Sequence, residues 1–140
     1  MSASPARPLP EALREKVARM LGERYAPWLR PGEQTDLEGS LAPEEIELTL
    51  SVERGEGEER WEATVRLDPA GQNQEEVLAL ALDAADAALA EWLEDGRERR
   101  PPPEFEEATF GDETLGLRLR RWSPKLEAAG DALLREEPEG

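Results

Sequence analysis

The sequence predicts an α+β fold: a small antiparallel sheet of three to four strands with helices packed on one face, in the order α-β-β-α-β-β-α. Three observations carry that prediction. Ile46, Leu48, Leu50 and Val52 alternate with polar residues, the period of a strand with one face buried and one wet. Trp61, Ala63, Val65 and Leu67 repeat the alternation, and the glycine-bearing stretch 54–60 between the two runs reads as a hairpin turn. Residues 74–95 contain no proline or glycine and place Val77, Leu78, Ala81, Leu82, Ala85, Leu89, Trp92 and Leu93 on one arc, the mark of a long amphipathic helix.

The remaining elements follow in chain order. Residues 1–7 read as a tail and 8–136 as a single α+β domain. Pro8-Leu9-Pro10 opens a first helix over 9–24, because proline is tolerated in a first turn, and Leu9, Leu13, Val17, Met20 and Leu21 recur at helical spacing. Pro27 stops it, leaving Tyr25 and Trp28 to fold back on the core. Residues 30–43, with Pro31, Gly32, Gly39, Pro43 and few periodic apolar residues, read as a surface connection. Asn73 is placed to cap the long helix and Gly96 to end it, as those residue types commonly do. The run Arg97 to Pro103 reads as a stiff spacer, since consecutive prolines favour an extended conformation. A short strand over 105–110, a clear one carrying Leu115, Leu117 and Leu119, and a last helix from Ser123-Pro124 to about residue 136 complete the pattern. Leu126, Ala129 and Leu133 form the buried stripe of that helix, and 137–140 fray.

Charge directs the functional reading. The chain has 33 Asp and Glu against 17 Lys and Arg, a formal charge of −16, and neither histidine nor cysteine. The side chain that titrates unaided near neutral pH, the thiol nucleophile and the best transition-metal ligands are thus all missing. No catalytic, cofactor-binding or metal-ligating residue is assigned, and no cofactor is expected. An acidic surface repels phosphate backbones and anionic lipid heads, so direct partners among nucleic acids or membranes are not expected. A protein with a basic surface is. No run of about 18 apolar residues spans a membrane, and the N-terminus lacks the basic start and apolar stretch of a signal peptide, which points to the cytoplasm. Only Lys16 and Lys125 are lysines, against many arginines and alanines, a composition that suits a bacterial GC-rich genome.

The candidate contacts lie in two places. Glu56, Glu58, Glu59 and Glu62 crowd the first hairpin with negative charge, and Trp122 falls in phase with Arg118 and Arg120 near the C-terminal helix, an interface-like composition. The bland alternative pairs Arg118 and Arg120 across strands with Glu45, Glu47 or Glu62; a third reading makes Arg118, Arg120, Arg121 and Lys125 an anion site. Asp83 and Asp86 are three apart on the long helix but read as a solvated face, and Gly55 and Gly57 as a turn. The sequence therefore favours a non-enzymatic protein-binding module of adaptor, chaperone or toxin-neutralising type. The alternatives are a carboxylate-dependent hydrolase or hard-metal binder, and a homodimer packed through Ala84, Ala87 and Glu91 beside Leu80.

Overall fold

Two sequence periods, two residues for strands and 3.6 for helices, meet across one sheet face in the computed structural model, which describes residues 7–55, 59–69, 72–97, 104–110 and 113–122. The elements are β1 (Arg7–Pro8), α1 (Glu11–Tyr25), a 3-10 turn (Ala26–Trp28), β2 (Glu33–Leu41), β3 (Ile46–Arg54), β4 (Glu59–Leu67), α2 (Gln74–Glu94), β5 (Glu106–Phe110) and β6 (Glu113–Trp122). All six strands form one antiparallel sheet in the order β1-β2-β3-β4-β6-β5.

This corrects the expected architecture in two respects. The sheet has six strands rather than three to four, and the described residues hold two α-helices. The expected last helix over 123–136, with Lys125, lies outside the described residues, as do Glu56, Glu58 and the tails except Arg7, which is part of β1. The missed strand is β2, which occupies the stretch expected to be a surface connection. On its core-facing side only Leu37 and Leu41 are apolar and buried. The other positions on that side are taken by Glu33, which binds Arg97, by Thr35, whose Oγ1 bonds the Ala18 carbonyl at 2.6 Å, and by Gly39, which lies beneath Leu9. Alternation is real there, but its polar members are satisfied by partners distant in the chain.

The core is built row by row across the sheet. Leu37, Leu50, Ala63 and Leu119 stand opposite one another in register on four successive strands, and all four are buried. Helix α1 covers β2 through Val17 and Leu21, while α2 covers β3 and β4. Ala81 and Ala85 are fully buried on α2, so small side chains bring that helix close to the sheet. Trp61 and Trp92, both expected in the core, are 2% and 1% exposed.

Local chemistry sets the helix ends. The Asn73 side-chain oxygen accepts from the Glu75 and Glu76 amides at 2.8 and 3.4 Å, satisfying two of the donors a helix start leaves orphaned. At the other end Gly96 and Arg97 adopt φ of 87° and 64°, a left-handed exit that glycine enters freely and arginine does not. No described helix is long and apolar enough to cross a membrane.

Gly39 marks the tightest approach. A methyl group there would lie 2.8 Å from Leu9 Cδ1 and 3.1 Å from the Glu47 carbonyl oxygen. Leu9 can rotate, but the β3 backbone cannot move without disturbing the sheet. Gly39→Ala is expected to cost about 1–3 kcal/mol through overpacking, read as a lower urea midpoint at unchanged slope.

Candidate functional site

The described residues expected to contact a partner lie on or beside the sheet face away from the helices, and two of them, Glu62 and Arg120, bind each other. Glu62, 6% exposed, accepts from Arg120 Nε at 3.0 Å and lies 2.9 Å from Arg60 Nε. Arg60 also reaches Glu38 at 3.4 Å. Glu59 accepts from Arg121 at 2.6 Å and pairs with Arg54 at 2.6 Å. The hydrogen bond from Arg121 holds its carboxyl below the ordinary glutamate value against the opposing effect of burial, assisted by the charges of Arg54, Arg121 and Arg30. Glu59 and Glu62 are thus partners of Arg121 and Arg120 across β4 and β6, and Arg120 makes the cross-strand pair with Glu62.

Arg118 has a different neighbour. Its guanidinium lies 4.7 Å from the Phe105 ring centre, and Arg66 lies 3.9 Å from the same ring. Arg66 also donates to Glu47 at 2.8 Å, whereas Arg118 Nε is buried without a hydrogen-bond partner. Trp122 stands opposite Arg60 in register, at the end of β6. On the same face Thr49 and Thr64 share a hydrogen bond of 2.9 Å.

The helix-bearing side holds a feature of another kind. Tyr25, at the end of α1, donates its hydroxyl proton to Asp86 Oδ1 on α2 at 2.5 Å, and Arg24 Nε donates to the same oxygen at 3.0 Å. Burial, followed by the hydrogen bond to Asp86 and the charge of Asp86, pushes the phenol well above its ordinary value, so it stays a donor. From this latch toward the start of both helices the walls part and enclose a cleft of about 340 Å³. Leu37 and Leu48 of the sheet line it with Leu13 and Val17 of α1 and Leu78, Ala79 and Leu82 of α2; Leu9 also contributes, and Glu75 is the one charged residue in the lining.

Helical spacing extends that apolar wall to the surface. Met20 follows Leu13 and Val17 on the α1 stripe that runs on to Arg24, and it is 56% exposed, the large hydrophobic side chain most open to solvent among the described residues. The cleft escapes sequence reading because Leu13, Leu78 and Leu82 fall on the same arcs as true core residues.

The alanine stripe suggested for a homodimer divides, Ala84 being buried and Ala87 exposed. Asp86 serves the latch rather than pairing with Asp83. Among the described residues no group of three or more Asp or Glu is arranged to hold a metal ion. No protein-family model, curated protein or solved structure matches the chain.

Proposed function

We propose that the protein is a non-enzymatic protein-binding module, of adaptor, chaperone or toxin-neutralising type, whose partner presents a basic surface. The observation that carries this reading is α2. This helix bears Glu75, Glu76, Asp83, Asp86, Glu91 and Glu94 and no lysine or arginine. Arg60, Arg66 and Arg120 of the sheet are turned toward its own carboxylates, so they do little to offset the field of the helix. An acidic surface of this kind raises the encounter rate with basic partners and rejects acidic ones.

Affinity purification on the immobilised protein, run at low and at high salt, tests the reading. The expected result is a defined partner with a basic contact surface, retained in dilute buffer and released as added salt shortens the Debye length from about 10 Å at 0.1 M to about 3 Å at 1 M. A partner held equally at both salts, or one with an acidic contact surface, would overturn it.

A further inference from the structure

We infer that the cleft between α1 and α2 is the docking groove for a short basic amphipathic helix of the partner, whose aliphatic side chains enter the cleft while a lysine or arginine meets Glu75. This rests on the reading of the protein as a binder of basic partners and names where and how it binds.

Volume and lining point to side chains of a peptide. About 340 Å³ is at the small end of ligand pockets, and such pockets orient small molecules with several fixed polar groups. Here the polar contribution to the lining is Glu75 alone, an exposed carboxylate on the first turn of α2. Binding must therefore come from apolar burial with a charge at the rim, the combination by which helices bind in grooves.

The walls favour a helical occupant. Leu13, Val17 and Met20 on one side, and Leu78 and Leu82 on the other, repeat at three- and four-residue spacing, and a guest with the same repeat interdigitates with both rows. Met20, exposed three residues beyond Val17 on the same helical stripe, supplies a flexible polarizable side chain that adapts to the guest. The latch of Tyr25 and Arg24 on Asp86 ties the two helices together away from the residues that line the cleft, and Glu75 and Ala79 are its exposed rim.

Charge selects among occupants. Glu75, Glu76 and Asp83 are exposed on α2. The chain's own segment beyond Trp122 carries leucines but also Glu127, Asp131, Glu136, Glu137 and Glu139, the wrong sign for this rim. A second copy brings another −16. A basic helix satisfies both the apolar wall and the acidic edge.

A fluorescein-labelled Leu/Lys peptide of about 15 residues, long enough to form a marginal helix, with leucines at helical spacing, tests this by anisotropy against the full chain. Three comparison peptides are a scrambled one of equal composition, a Leu/Glu counterpart and an unlabelled competitor. The patterned peptide is expected to bind roughly tenfold tighter than the scrambled one. The neutral double variant Met20→Gln/Ala79→Gln, at two exposed sites, is expected to remove most of that advantage, and Glu75→Gln to lower affinity by about threefold. Equal binding of patterned and scrambled peptides, unaffected by the double variant, would overturn the groove while leaving the basic-partner reading intact. Failure of both lysine peptides to bind would overturn that reading and the groove together. Tighter binding of the Leu/Glu peptide would overturn the charge assignment. A gain of about tenfold on Leu126→Asp would make the chain's own C-terminal segment the occupant and overturn the partner helix.

Discussion

Arg97→Ala is expected to lower the unfolding free energy by about 3–5 kcal/mol, the cost of leaving one buried charge without its partner. The Arg97 side chain is 2% exposed and that of Glu33 0%. Their contact is bidentate, with Nη1 donating to Oε2 at 2.6 Å and Nη2 to Oε1 at 2.8 Å, and Nη2 also donates to the Trp28 carbonyl at 2.7 Å. Glu33 Oε1 takes a third hydrogen bond from the Arg30 amide at 2.7 Å. The pair joins the exit of α2 to the start of β2 and is strong enough to hold Arg97 at φ 64°. Alanine inherits that backbone strain and gives back nothing. Urea denaturation measures the loss; a change under about 1 kcal/mol would show that water replaces the guanidinium.

Acid reports on the same pair. Burial raises the Glu33 carboxyl, but the hydrogen bonds from Arg97 and the Arg30 amide, with the charges of both arginines, outweigh it and hold the group below its ordinary value. A carboxyl depressed in the folded state contributes stability that is fully present above its unfolded value, about 4.3, and is lost as pH falls through the folded one. Between neutral pH and about pH 5 the pair's contribution is constant. Below that the wild type should lose stability more steeply than Glu33→Gln, which starts lower and lacks this titration.

Trp61→Ala is expected to cost about 3–5 kcal/mol, the range for emptying a buried tryptophan site. The ring is 2% exposed, and three guanidinium carbons face it, Arg97 at 4.6 Å, Arg121 at 5.7 Å and Arg30 at 5.8 Å. It therefore fills volume and also presents an electron-rich face to the cation that Glu33 neutralises. A double-mutant cycle between Trp61→Ala and Arg97→Met separates these roles. Coupling of about 0.5–2 kcal/mol is expected for a desolvated contact of this kind. Strict additivity would mean that the indole acts by volume alone.

Neither Glu33 nor Arg97 announces itself in the sequence, where one sits in a stretch with few apolar residues and the other opens a basic, proline-bearing spacer. Their meeting depends on α2 returning the chain to the start of β2, a tertiary event without local pattern. Wherever partners lie within one turn or along one strand, the sequence is legible. Asn73 and Gly96 mark the ends of α2, and the hairpin pairs Ile46 with Leu67 through Arg54 with Glu59. The Arg120–Glu62 contact was accessible as cross-strand pairing, because alternation puts both residues on one face. β2 was hidden since its core side is half polar, and the cleft was hidden because a hydrophobic arc states that a surface leaves bulk water without stating what covers it.

The placement of β6 between β4 and β5 has a consequence for how the chain acquires its shape. β2, β3 and β4 form a meander of neighbours, so their pairing closes short loops, whereas joining β6 to β4 must close residues 68–112 as well. Loop closure of that length slows the step relative to the meander. During synthesis Ala63 and Val65 emerge long before Leu119 and Leu117 arrive opposite them, and until then the far edge of β4 is an open pairing template. The acids and arginines along that edge, Glu59, Arg60, Glu62 and Arg66, then act as gatekeepers against pairing with other chains, before they serve as cross-strand partners in the finished sheet.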